Sequence, residues 1–533
     1  MKRFGVMLDC SRNAVMKPEQ VKKFASILKD FGYTSLQLYT EDTYEVEEEP
    51  FFGYLRGRYS IAELQDIVSY CQGIGMEVIP CVQTLAHLNS IFRWKEYAAI
   101  NDFGDILLPE EERTYTLIEN IFKTLRKCFC SEYVHIGMDE AHMLGLGKYL
   151  DKHGYKNRFD ILNRHLNKVI EIAKRYGLKP IMWSDMFLRL ANQGEYYPEN
   201  PVLTEECKRA IPQDVGLVYW DYYHTDKEYY TKMMKAHMAA DNEVWFAGGA
   251  WTWAGFASCN QFSLQSMFPA MQAAKECGIE NIFLTMWGDN GKECSFYTAL
   301  PSLYAIKRIY DGESDMEKIK SEFEKLTGES FDAMLCFDNP NFVAGNTNSR
   351  VNISKYMLYS DPFLGFLDVT IKQSMKAEYE RYAAQFLELA KGSGYAYLYE
   401  SYSALCQCLA IKYDLGVRTR KAYQEEGKQA LLSVANDYKE LLSALDVFYD
   451  KFQTLWFTEN KPHGFDVQDL RLGGLKQRLT SCYKRLIAYC KGEIESIPEL
   501  EETLLQGEFG DNVGEEGEFV YNNWRENASV NIL

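Results

Sequence analysis

Over roughly the first 310 residues, short apolar runs alternate with longer amphipathic stretches. The runs are Phe4–Leu8, Ser35–Tyr39, Glu77–Val82, Tyr133–Gly137, Lys179–Trp183, Val215–Trp220, Glu243–Gly248 and Ile282–Trp287. Each is short and little interrupted by charge, the pattern of a strand buried on both faces. In Pro18–Phe31, Val21, Phe24, Ala25 and Leu28 fall at i, i+3, i+4 and i+7, so one helical face is apolar, with Pro18 and Gly32 as boundaries. Ile61–Gly75, Arg113–Leu125, Phe159–Tyr176, Lys227–Met238, Leu264–Gly278 and Tyr297–Asp311 repeat the pattern. Alternating strands and helices in this number predict an α/β fold, a (β/α)8 TIM barrel. A doubly wound open sheet would carry a Gly-rich phosphate loop after its first strand, and none follows Leu8.

Past residue 312 strand-like runs cease and long helical patterns take over at Met375–Lys391, Tyr395–Arg418, Glu425–Lys451 and Leu475–Lys491. A catalytic barrel over 1–312 and a mostly α-helical C-terminal domain over 313–533 are expected. The polar segment Asn460–Arg471 reads as a loop between helices or one bordering the active site, and the acidic stretch Glu501–Glu518 as an extended arm.

The chain has 533 residues, 47% apolar and 25% charged, ordinary for a folded protein and excluding wholesale disorder. A net charge of −18 argues against nucleic acid or an anionic membrane as partner. The first apolar run stops at Asp9, too short for a signal-peptide core, and no run approaches a membrane span. Fourteen scattered cysteines read as reduced thiols, and their CxC pairs (Cys128/Cys130, Cys406/Cys408) lack zinc-site spacing. A cytoplasmic location is expected. The aromatic-rich helical domain raises the expectation of a homodimer.

In a barrel, chemistry gathers where strands end. Here those ends deliver Asp9 and Arg12; Glu41 and Asp42; His87; His135, Asp139 and Glu140; Trp183 and Asp185; Tyr219 to Tyr223; Trp251 and Trp253; and Trp287, Asp289 and Asn290. Packing alone does not require acids and large rings at every strand end. A polar, uncharged ring would use both, carboxylates for its hydroxyls and aromatic faces for its apolar side. Adjacent carboxylates at Asp139 and Glu140 repel, so one should hold its proton to higher pH, as a general acid needs. Neighbours on a strand point to opposite faces, so both reach one pocket only if the chain bends, which Gly137 permits.

The segment His135-Ile-Gly-Met-Asp139-Glu140 resembles the HxGxDE signature of glycoside hydrolase family 20, the β-N-acetylhexosaminidases. Phe4–Arg12 is similar to the family's first strand. Asp42 falls at its acid after strand 2, and His87 at its strand-3 histidine. Trp183, Trp220 and Trp287 match the pocket tryptophans, and Asp289 stands where a Glu binds outer hydroxyls. The resemblance implies an exo-acting retaining hydrolase of terminal GlcNAc or GalNAc, with no metal and no organic cofactor. Its nucleophile would be the substrate's own acetamido oxygen, an exception to the two-carboxylate scheme. Glu140 would be general acid and then base, Asp139 would orient the acetamido group, and Asp42 and His87 would form a supporting relay. His135, inside strand 4, would pack behind them.

Three features depart from the family pattern. Phe4 occupies the place of the usual Arg, so Arg3 or Arg12 must substitute or that contact is lost. No Tyr follows strand 7, where Gly-Gly-Ala-Trp251-Thr-Trp253 stands, so Tyr222 or Tyr223 would grip the acetamido group and Trp253 would add to the wall. With the first strand beginning at residue 4, no domain is expected before the barrel, as would suit a compact intracellular branch of the family. The competing readings are a metal-dependent barrel hydrolase, a two-carboxylate glycosidase with Asp185, Asp221 or Asp289 as nucleophile, and a silent sugar-binding protein.

Overall fold

The computed structural model describes residues 3–348 and 350–505, so the acidic stretch lies outside it from residue 506 on. Eight parallel strands close into a barrel in sequence order: β1 (Arg3–Asp9), β2 (Ser35–Thr40), β3 (Glu77–Val82), β4 (Tyr133–His135), β5 (Lys179–Trp183), β6 (Gly216–Trp220), β7 (Val244–Gly249) and β8 (Asn281–Met286). The ring closes where β1 pairs with β8, Arg3 beside Asn281 through Leu8 beside Met286. The predicted (β/α)8 TIM barrel with a helical C-terminal region is therefore the fold.

The helices form where the pattern placed them. In Pro18–Asp30, Val21, Phe24, Ala25 and Leu28 are buried. In Ile61–Gly73 a capping box fixes the start: the Ser60 hydroxyl accepts the Glu63 N–H (3.2 Å) and the Glu63 carboxylate accepts the Ser60 N–H (2.7 Å).

The differences are local and have physical causes. β4 is regular only to His135, not Gly137, because Gly137 and Met138 both adopt φ 70°, outside the strand region. The helix expected from Leu264 begins at Asn260, because the Asp338 carboxylate, distant in sequence, accepts the N–H groups of Asn260 and Gln261 (2.9 Å each).

The chain groups into two compact units. One comprises Met1–Ala250, Ser263–Trp287 and Ser302–Ile319; the other comprises Trp251–Phe262, Gly288–Pro301 and the chain from Lys320. The second unit thus takes in the segments that directly continue β7 and β8. Its main helices are Lys376–Leu389, Ala396–Lys412, Leu415–Lys421, Lys428–Glu459 and Phe465–Lys491.

The segment Asn460–Arg471 is a loop only as far as Gly464; from Phe465 it is helix. Phe465, Gln468, Leu472 and Leu475 are buried at helical spacing, and the polar residues between them hid that face in the sequence. This helix folds back on Lys428–Glu459, with the Tyr449 hydroxyl donating to Asp469 (2.7 Å).

Candidate active site

Beyond β4 the backbone makes consecutive left-handed steps, at Gly137 (φ 70°), Met138 (φ 70°) and, past Asp139, at Glu140 (φ 51°). Non-glycine residues pay for such conformations and keep them only where surroundings enforce them. Here they are enforced by hydrogen bonds. The Gly137 N–H donates to His135 Nδ1 (3.1 Å), the Met138 N–H to Gln83 Oε1 (3.2 Å) and the Glu140 N–H to Asp185 Oδ2 (3.1 Å). The Thr84 hydroxyl adds a bond to the Ile136 carbonyl (2.8 Å).

The turn abolishes the strand's alternation of faces. Asp139 Oδ2 lies 3.2 Å and Glu140 Oε2 3.8 Å from the same nitrogen, Nε2 of His87. His87 is itself left-handed (φ 57°), and its N–H donates to Asp105 Oδ2 (2.9 Å). Gln83 Nε2 donates to Asp139 Oδ1 (2.9 Å) and to the Tyr39 hydroxyl (3.0 Å), which donates to Glu41 Oε1 (3.2 Å).

The charges follow from this packing. Burial disfavours a charged His87, yet the adjoining Asp139 carboxylate, aided by Glu41, pushes its pKa up to about 10. Burial alone would raise Asp139, but His87 and the Gln83 amide reverse that, and its carboxyl falls below the ordinary value. The rise expected from two adjacent acids therefore does not fall on Asp139. Two other acids of the cluster are raised, each chiefly by burial: Asp185 is pushed up to about 7 by burial and by Asp139, and Glu41 to about 7 by burial against the pull of Arg12 and His87. The Glu140 side chain is 44% exposed and open to solvent.

His135 is buried, which drives its pKa down to about 3, and it packs against the Trp183 ring (4.3 Å between centroids) as a neutral support. Trp183 lies 6.0 Å from Trp287, which meets Tyr39 edge-on at 4.8 Å and donates its indole N–H to the Tyr222 hydroxyl (3.1 Å). Tyr222 stacks on Trp220 (5.4 Å). The aromatic wall is thus continuous through Trp183, Trp287, Tyr222 and Trp220.

Asp42 does not join His87. It is buried against Arg56 (Nε to Oδ1 3.2 Å), and that guanidinium also binds the carbonyls of Arg12 and Ser11. Burial raises the Asp42 pKa despite Arg56. The acid acting on His87 from this strand end is Glu41, contacted by Arg12 (Nη1 to Oε1 3.4 Å), which also lies 3.8 Å from Asp9. Trp253, stacked on Trp251 at 4.4 Å, and Asp289 both belong to the second unit.

Sequence reasoning missed Gln83 altogether and assigned no part in the cluster to Tyr39, Glu41 or Asp185. The available signal for Gln83 was an uncharged polar residue directly after an apolar strand at the rim. Among the described residues, no group of three or more His, Cys, Asp or Glu side chains is arranged to hold a metal ion.

A closed barrel with paired carboxylates and a wall of indole and phenol rings at its C-terminal rim defines the class, a barrel glycoside hydrolase. Residues 33–275 match the family model for the glycosyl hydrolase family 20 catalytic domain, and residues 329–516 match that for the Glycoside Hydrolase 20C C-terminal domain. The chain belongs to glycoside hydrolase family 20.

Among curated relatives, Hexosaminidase D of Homo sapiens is 24% identical over 221 residues, covering 40% of this chain and 43% of that protein. Hexosaminidase D of Bos taurus is 25% identical over 223 residues, covering 39% and 59%. The match thus spans about half the length of these relatives. The chitobiase structure from Flavobacterium johnsoniae aligns over 86% of this chain and 78% of that one at 14% identity, with a TM-score of 0.48.

Proposed function

We propose that this protein is an exo-acting, retaining β-N-acetylhexosaminidase that removes terminal GlcNAc or GalNAc by substrate-assisted catalysis. The observation that carries the reading is the shared approach of Asp139 and Glu140 to His87, one carboxylate buried and held ionised, its neighbour open to solvent.

Asp139, kept anionic by His87, accepts the N–H of the substrate's 2-acetamido group. The acetamido carbonyl oxygen attacks C1 while the bond from C1 to the leaving oxygen breaks, and Glu140 gives that oxygen its proton. Positive charge spreads over the oxazolinium ring, where the fixed Asp139 charge stabilises it. Water then attacks C1, Glu140 takes its proton and the ring opens, so two inversions leave the configuration retained. Trp220 and Trp287 supply apolar faces for the sugar with Trp183 packed behind Trp287, and Tyr222 supplies a hydroxyl beside them.

Two of the three acids named for a two-carboxylate mechanism are engaged away from an open face. Asp185 accepts the Glu140 N–H and its side chain is 0% exposed. Asp221 accepts from the Tyr219 hydroxyl (2.7 Å) and the Tyr223 N–H (3.0 Å) and lies 2.8 Å from His224 Nδ1.

The reading requires no metal or organic cofactor, and a glycoside is its only obligatory partner; dimerisation stays part of the proposal. No helix among the described residues is long and apolar enough to cross a membrane. The fourteen free cysteines support a reducing, cytoplasmic setting.

The test compares aryl β-N-acetylglucosaminide, aryl β-N-acetylgalactosaminide and aryl β-glucoside, with and without EDTA. Expected are strong preference for the acetamido sugars, inhibition by a thiazoline, indifference to EDTA, and losses of about 10²–10⁴-fold in Asp139→Asn and Glu140→Gln. Equal cleavage of the glucoside, or activity lost to EDTA, overturns the mechanism.

A further inference from the structure

Past Glu140 the barrel unit holds a second concavity of about 350 Å³, lined by His142, Arg158, Met186, Arg189, Gln193 and Gly194. That volume is at the small end for ligand pockets, room for one sugar unit rather than several. Two backbone links tie it to the acid. The His142 N–H lies 2.6 Å from the Glu140 carbonyl, and Asp185, which holds the Glu140 N–H, begins the helix Asp185–Ala191 that carries Met186 and Arg189.

The lining is cationic in a protein of net charge −18. Arg158 directs Nη1 at the His142 carbonyl, so this bond leaves its charge uncompensated. Arg189 donates from Nη1 to the Gly194 carbonyl (3.2 Å), and its Nε is buried without a hydrogen bond, 3.9 Å from Asp185 Oδ2. Asp185, with its pKa near 7, offsets that charge only partly at neutral pH. Burial, Arg189 and Arg158 together hold His142 below its ordinary pKa, so the imidazole is ready to act as a neutral hydrogen-bonding group.

A general acid stands against the glycosidic oxygen, and what lies beyond that oxygen is the leaving unit. We propose that this cavity receives the leaving unit and selects one bearing an oxyanion, a carboxylate, sulfate ester or phosphate ester, clamped by Arg158 and Arg189 with His142 beside them. Met186, buried in the wall, gives an apolar face to the ring that carries the anion. The inference rests on the hydrolase reading above and extends it to the substrate's other half.

The experiment pairs N-acetylglucosaminyl-β-glucuronate with N-acetylglucosaminyl-β-glucose, which differ only in a carboxylate, and adds the glucose 6-sulfate and 6-phosphate forms to tell the oxyanions apart. The expected result is a kcat/KM about tenfold or more higher for at least one anionic substrate, from a charge-assisted contact. The preference should shrink in raised salt. Arg158→Gln should bring the anionic-to-neutral ratio close to one, and Arg158→Lys should restore part of it. A wild-type ratio of one, or a ratio untouched by Arg158→Gln, overturns the proposal. Failure to cleave any acetamido glycoside would instead overturn the hydrolase reading. Titrating the same disaccharides into the Glu140→Gln protein then reads the discrimination without turnover, and equal affinities there count against the cavity.

Discussion

His87 is the residue whose removal has the most calculable effect. Its Nε2 lies 3.2 Å from Asp139 Oδ2, and with its pKa near 10 it is cationic at neutral pH. At an effective dielectric of about 20, unit charges at that separation attract by about 5 kcal/mol. Desolvation of the imidazolium offsets part of this. If half survives, Asp139 is held down by about two pKa units at roughly 1.4 kcal/mol each. Asp185 marks the upper limit: a carboxyl more fully enclosed (0% exposed against 13% for Asp139), with Asp139 rather than a histidine acting on it, has its pKa pushed up to about 7. In His87→Gln, Asp139 should therefore rise by about two units, from below its ordinary value to above it.

The sign is fixed. A raised carboxyl loses its anion as pH falls through the new pKa, so activity is lost on the acid side and recovers towards high pH. The assay is kcat/KM against pH on aryl β-N-acetylglucosaminide. Wild type should hold its activity from pH 7 to pH 5 as far as Asp139 is concerned, while His87→Gln should fall by roughly tenfold per unit below the new pKa. A variant profile that is merely lower, with its acid limb where wild type has it, would refute the electrostatic role of His87.

Two further outcomes follow from the packing. In Gly137→Ala the new Cβ would stand 2.0 Å from Gln83 Oε1 at φ 70°, so the amide must move and release Asp139 and the Met138 N–H. Destabilisation of about 1–3 kcal/mol in urea titration should accompany an activity loss larger than the unfolded fraction explains; full activity in the folded protein would contradict the hold assigned to Gln83. In the second unit, Lys355 and Glu293 form an ion pair of 2.6 Å with side chains 0% and 1% exposed, and Arg471 approaches Glu293 at 3.1 Å. Lys355→Met should cost about 3 kcal/mol by stranding buried charge, and a change under about 1 kcal/mol would show that Arg471 alone neutralises Glu293.

The barrel was legible because its strands are buried on both faces and its helices on one, so periodicity alone separates them. The strand ends were legible for the same reason, since every apolar run stops at the residues that reach the rim. Asp139, Glu140, His87, Trp183, Trp220 and Trp287 could thus be picked out, along with the Gly137 bend. The helix from Phe465 and the early start at Asn260 were not, because one depends on which polar side chains find buried partners and the other on a carboxylate from Asp338.

What composition and spacing could not settle is which neighbour each acid keeps. Glu41 and Asp42 are adjacent and chemically alike, yet Arg56 draws one away and Tyr39 ties the other to the Gln83 network. Asp139 and Asp185 are the same residue type, yet one falls below the ordinary carboxyl range and the other rises to about 7. Periodicity is a property of local chain geometry and is written residue by residue. A proton's affinity depends on charges and burial supplied by strands far apart in sequence, and those come together only when the barrel closes.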